Sequence, residues 1–289
     1  MGKIYEALSR AESERETADS VFAGDESHCG EQPPEKFNFV RYSLGAPSIH
    51  EKDRVRRDAA TSAISRRSLA QPASEVTINP GQIDPHLVSF YNFDRDASDQ
   101  YNKLALTLIS RAAEQGVRRV LIASAQHGEG RTTVTLNLAC ALARARQRVL
   151  VVDCDLEQPS VTAKLGVNCP LEMTEAFRKG MAPGAAVLRI QPYGFNILPS
   201  SGRVENPVEI LAAPGFWKML QAFDLDHDFI LFDSSPLLAT GDSSLLVRFT
   251  DTTLMVVRQG YTNSTQMAKA VANFSRDDIL GVVINRAQG

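Results

Sequence analysis

Apolar residues follow two regimes along this chain. From about Asp19 to Ser98 they recur with neither a helical nor a strand period, and from Tyr101 onward they fall into short, regular blocks. The stretch LALTLISRAAEQ has helical spacing and stops at Gly116. The run VLIAS, residues 120–124, predicts a short strand; a Gly-rich turn and a helix from about Thr132 to Arg146 follow, and RVLVVD predicts a second strand. Further strands are expected at FNILPS, FILFD, TLMVV and LGVVIN. Helical stretches lie between them at TEAFRKG, PVEILAAPGFWKMLQAF, SSLLVRF and STQMAKAVANF. Apolar strands alternating with helices predict a doubly wound α/β fold, a mainly parallel sheet with helices on both faces. Ligands of such sheets bind at the carboxyl ends of the strands.

The chain ahead of Tyr101 divides in two. Ile4, Leu8 and Ala11 fall on one face of a short helix, so residues 1–18 are expected to dock either on their own domain or on another protein. Residues 19–97 are rich in Ser, Pro, Asp, Glu and Arg and read as a disordered linker, because a stretch such as EKDRVRRDAATSAISRRS cannot bury enough surface to offset its ordering entropy. The regular domain is then expected over residues 98–289.

Composition narrows the function classes. A net charge of −3 with 43% hydrophobic residues excludes a strongly basic nucleic-acid binder as the default and a chain disordered throughout. No run approaches the ~20 apolar residues that span a bilayer, and MGKIYEALSR lacks a signal peptide's apolar stretch. Cys29, Cys140, Cys154 and Cys169 form no CxxC pair, the histidines are scattered, and a reduced, cytoplasmic protein without a zinc site is expected.

The chemistry is concentrated in three loops. Ala125-Gln126-His127-Gly128-Glu129-Gly130-Arg131-Thr132-Thr133 follows a strand and opens a helix, the setting of a phosphate-cradling loop. Gly128 and Gly130 let backbone N–H groups turn toward an anion, and Thr132 is the residue type that ligates Mg²⁺. A dinucleotide fingerprint fails at Thr133, where glycine would be required. Against the phosphate-loop pattern, Arg131 stands where lysine is expected. Asp153 and Asp155 close the second strand, a pair suited to Mg²⁺ or to accepting a proton. Asp233 closes a third strand at the same edge.

These segments resemble the bacterial tyrosine kinase (BY-kinase) family of exopolysaccharide synthesis, phosphate-loop proteins related to the partitioning ATPases. SAQHGEGRTTVTLNLACALA corresponds to its Walker A motif, RVLVVDCDLEQPSV to Walker A′ and HDFILFDSSPLLATGDS to Walker B. ENPVEILAAPGFWKML and LGVVINR match further segments, and MGKIYEALSRAE is similar to the start of members that work beside a membrane-spanning chain-length regulator. The resemblance implies ATP or ADP with Mg²⁺ as cofactors. Gly128, Glu129, Gly130, Arg131, Thr132 and Thr133 would hold the phosphates, with Asn285 and Arg286 near the adenine. Thr132, Asp153 and Asp233 would serve the metal, while Asp153 and Asp155, with Arg131 at the phosphates, would carry catalysis. The implied activity is that of a protein-tyrosine autokinase or a weakly active, regulatory relative. It acts in the cytoplasm, brought to the inner membrane by the chain-length regulator as partner. A partitioning-type ATPase and a non-catalytic interaction module remain the alternatives. Three departures weigh on activity: Arg131 itself, a helix motif for ring assembly that reads Asp99, Asn102 and Ala105 where the family has E-x-x-R-x-x-R, and an end at RAQG without a tyrosine cluster.

Overall fold

The chain was analysed as a computed structural model, which describes residues 72, 74–91, 95–239, 243–272, 274–275 and 278–286. Among these residues there are eight strands, β1 (Ser74–Thr77), β2 (Arg119–Ser124), β3 (Val149–Cys154), β4 (Leu188–Gln191), β5 (Phe195–Leu198), β6 (Phe229–Ser234), β7 (Thr252–Arg258) and β8 (Ile279–Asn285). They form one sheet in the order β1-β4-β5-β3-β6-β2-β7-β8. Every pairing is parallel except β4 with β5. The helices are α1 (Arg95–Gln115), α2 (Arg131–Arg144), α3 (Val161–Leu165), α4 (Met173–Arg178), α5 (Pro207–Leu211), α6 (Pro214–Gln221), α7 (Ser243–Val247) and α8 (Ser264–Val271).

The central strands are apolar because both of their faces are covered. Leu121 and Ala123 of β2 join one core with Phe216, Trp217 and Phe232, and Val120 and Ile122 join the other with Leu136, Leu142 and Phe195. Helix α2 is buried from Arg131 to Leu142, lying between the sheet and α1. The register then places the chemistry. β3 and β6 pair so that Asp153 lies beside Asp233, and β2 pairs with β6 so that Ile122 lies beside Asp233. The ends of β3 and β6 thus flank the loop that leaves β2.

The structure departs from the sequence reading in several places. Among the described residues the first element is β1, which starts at Ser74 inside the segment read as linker, and α1 starts at Arg95. Residues 78–91 form a strap across α2, with Leu87 fully buried and Phe90 6% exposed. Its polar ties are specific: Ser89 N–H donates to Asn137 Oδ1 at 2.8 Å, and Asn137 Nδ2 donates to the His86 carbonyl at 3.1 Å. On the far side, Tyr193 OH donates to the Phe90 carbonyl at 2.9 Å. Strand β4 is an addition, and its antiparallel pairing with β5 gives a hairpin at the sheet's margin. The long helix expected at 207–223 is two helices, because Pro214 disfavours helical backbone at Ala213, which is extended. The docking helix expected over 1–18 lies outside the described residues, as does most of the linker.

Candidate nucleotide and metal site

The loop from Ala125 to Gly130 owes its shape to two positions that require glycine. Gly128 and Gly130 have φ of +76° and +97°. A Cβ on Gly130 would also fall 1.9 Å from Asn285 Nδ2, which donates to the Glu129 carbonyl at 2.9 Å. Glu129 is fully buried and braces the loop from within. One carboxylate oxygen accepts the Gln126 N–H at 2.8 Å, and the other bonds the Thr262 hydroxyl. Arg258, at the end of β7, adds a cation at the rim through a 3.4 Å bond to the Gly128 carbonyl. The first bond of the α2 ladder runs from Val134 N–H to the Gly130 carbonyl. The N–H groups of Arg131, Thr132 and Thr133 therefore have no partner within the helix, and with the helix dipole they favour an anion.

Oxygen donors face this loop. The Thr132 hydroxyl donates to Asp233 Oδ2 at 2.6 Å and meets Ser160 Oγ at 2.8 Å. Thr135 Oγ1 lies 3.3 Å from Asp233 Oδ1. Asp153 accepts the N–H groups of Asp155 and Val161, both at 3.3 Å. Asp153 and Asp233 are fully buried, and Asp155 is 4% exposed. Burial pushes the Asp153 carboxyl well above the usual carboxylate range, and neighbouring Asp233 pushes the same way. Asp233 is pushed up to about 6 by burial, against the pull of Arg131 and the Thr132 hydrogen bond. Burial raises Asp155 too, opposed by Arg131. Cys154, between them in sequence, is buried, and its thiol is held well above its ordinary value by that burial and the three carboxylates.

Arg131 is turned inward. Its guanidinium is bonded to the Ser234 carbonyl, Ser124 Oγ, the Gln126 carbonyl and Asp155 Oδ2.

This donor set fits Mg²⁺ and a phosphate chain. The ligands are all hard oxygens, and among the described residues no cluster of three or more His, Cys, Asp or Glu side chains makes a metal cage by itself. That suits Mg²⁺, which takes one or two carboxylates and completes its shell with phosphate oxygens and water. The structure brings Gly128, Glu129, Gly130, Arg131, Thr132, Asp153, Asp155, Asp233 and Asn285 to one edge. Thr133 is buried in the first turn of α2. Arg286 is exposed at φ +54°, its N–H bonded to Asn285 Oδ1. Ser160, Thr135, Thr262 and Arg258 belong to the site and were not singled out by the sequence reading. Thr135 and Ser160 lie inside the Walker A and Walker A′ segments without a role legible from them, Thr262 and Arg258 stand in no motif, and only the folded sheet brings the four to the loop.

A glycine loop over acidic strand ends on a parallel sheet defines a P-loop nucleotide-binding protein. The chain belongs to the CobQ/CobB/MinD/ParA nucleotide binding domain family, whose profile matches residues 120–289, and within that superfamily it is a distant member of the BY-kinase family. It is 27% identical over 190 residues to tyrosine-protein kinase YwqD of Bacillus subtilis, a match covering 65% of this chain and 80% of that protein. It is 26% identical over 158 residues to tyrosine-protein kinase wzc of Salmonella typhi, covering 54% of this chain but only 22% of that longer protein. The fold matches the kinase domain of Escherichia coli tyrosine kinase ETK with a TM-score of 0.64 at 20% identity, over 79% of this chain and 98% of that one. Among the described residues no helix is long and apolar enough to cross a membrane.

Proposed function

We propose that this protein binds ATP or ADP with Mg²⁺ and acts in exopolysaccharide synthesis or export, as a protein-tyrosine autokinase or as its weakly active, regulatory relative. The observation that carries the reading is the meeting of the Thr132 hydroxyl with Asp233 at the mouth of the glycine loop, with Asp153 at the adjacent strand end. The nucleotide, when bound, supplies the phosphoryl group. The N–H groups from Gly128 to Thr133 orient the phosphates, Thr132, Asp153 and Asp233 hold the metal, and Asn285 and Arg286 serve the adenine side. Asp155, with Asp153, takes the proton of an attacking tyrosine hydroxyl; its raised proton affinity suits that role once Arg131 releases it. The partner is a membrane-spanning chain-length regulator, reached through the Ile4/Leu8 face or through the core domain, and it keeps a cytoplasmic protein at the inner membrane. The loop has Gln126 where partitioning ATPases carry an additional lysine, which disfavours that alternative.

Arginine keeps the charge of the missing lysine but is larger, planar and committed to four protein contacts. Arg131→Lys is expected to raise nucleotide turnover by at least ~10-fold, about 1.4 kcal/mol of barrier. Adding Asp153→Asn should erase that gain. Equal turnover by wild type and Arg131→Lys would make arginine an adequate substitute. No turnover by either would favour a non-catalytic interaction module.

A further inference from the structure

Arg131 opens α2, so its side chain could extend toward a phosphate held by the loop. It goes elsewhere. Nε donates to the Ser234 carbonyl at 2.7 Å, Nη1 to Ser124 Oγ at 2.6 Å and to the Gln126 carbonyl at 2.9 Å, and Nη2 to Asp155 Oδ2 at 3.2 Å. Four of the guanidinium's five N–H groups are thereby used. The acceptors lie at the end of β2, in the loop after it, at the end of β6 and just beyond β3. One side chain thus crosses the carboxyl edge of three strands. A lysine, with a single nitrogen and three N–H groups, cannot span these acceptors.

The Arg131 and Asp155 side chains are 7% and 5% exposed. A buried ion pair opens only if each charge finds a new partner, because a lone buried charge is strongly destabilising. At this edge the exchange is available, since a phosphate group can replace Asp155 on the guanidinium and a divalent cation can replace Arg131 on the carboxylate.

We infer that Arg131 is a latch on the site: its bonds to Asp155 and the ends of β2 and β6 hold the carboxyl edge closed without nucleotide, and their opening limits the rate of nucleotide entry. The latch also makes Arg131 a positioning residue for Asp155, since the aspartate is unavailable as a proton acceptor while the pair is closed. This inference rests on the nucleotide-binding reading and adds a regulatory step to it.

Two measurements on the full chain test it. The first is hydrogen exchange of the Arg131 Nε–H, followed by ¹⁵N NMR without nucleotide. The latch requires exchange far slower than that of Arg146, which is exposed, and acceleration in Asp155→Asn. The second is the association rate of a fluorescent ADP analogue with Mg²⁺. Asp155→Asn and Arg131→Lys, two independent ways of weakening the latch, are both expected to associate at least ~10-fold faster than wild type. An Arg131 Nε–H that exchanges like that of Arg146 overturns the latch, and so do equal association rates in all three proteins. If none of the three binds the analogue at millimolar concentration, the nucleotide reading fails and the gate with it. Slow exchange in that case marks a purely structural ion pair.

Discussion

Gly130 is held in place by two separate constraints, backbone conformation and the approach of Asn285. At φ +97° an alanine would cost roughly 1–2 kcal/mol in backbone strain alone. Its Cβ would also displace Asn285 Nδ2 and break the 2.9 Å bond to the Glu129 carbonyl. Removing that bond by Asn285→Ala should cost about 1 kcal/mol. The two effects overlap, so the double variant is expected to be less destabilised than the sum of the single variants, as read from urea unfolding midpoints. Strict additivity would mean that Asn285 moves aside freely. The glycine was legible from the strand–loop–helix context. The contact with Asn285 was not, because 155 positions separate the two residues and only the pairings of β2 with β7 and of β7 with β8 bring them together.

Among elements, the strap over α2 is the plainest case of tertiary structure overriding composition. Leu87 is fully buried in a segment that reads as linker in the sequence. Leu87→Ala should therefore destabilise the domain by about 2–5 kcal/mol. A truly disordered linker would tolerate the change within error. A second prediction belongs to the β3–β6 pair. Asp153 and Asp233 have raised proton affinities when folded, so the native state binds more protons than the unfolded chain between about pH 4 and 6. The contribution of Asp233 is complete below the ordinary carboxylate value and is lost as pH rises through about 6, and that of Asp153 has the same sign. Asp233→Asn removes one of the like charges. Without Mg²⁺, wild-type stability relative to Asp233→Asn should fall as pH rises from about 4 to 6, and millimolar Mg²⁺ with ADP should restore the wild type alone. Parallel pH profiles for the two proteins would refute this account.

Ligand linkage acts on the whole molecule. Nucleotide that binds only the folded state stabilises it by about 2.7 kcal/mol at one hundred times Kd. For a domain of this size that corresponds to a melting temperature higher by roughly 5–10 °C. The rise should require Mg²⁺ and should be lost in Asp153→Asn. A melting temperature unmoved by millimolar Mg-ATP would take the nucleotide out of the protein's function. The same scale explains the shape of the site. Asp153, Asp233 and the glycine loop lie on strands that are adjacent in the sheet although Asp153 and Asp233 are 80 positions apart in the chain.

The sequence by itself determined the alternation of apolar strands and helices, and with it the doubly wound class, since strands buried on both faces must be apolar throughout. It also determined the loop and the three aspartates, because glycine at positive φ and carboxylates at strand ends are local requirements. The tertiary structure alone decided the rest. Strand β4 is held between β1 and β5, parallel to one and antiparallel to the other, a pairing that nothing within LRIQ declares. The strap is ordered by its burial on α2, a gain that no local propensity records. Arg131 shows the division within one side chain. Its place at the start of α2 is written in the sequence, but its direction is set by acceptors on Ser124, Gln126, Asp155 and Ser234, which meet only when the strand ends are assembled.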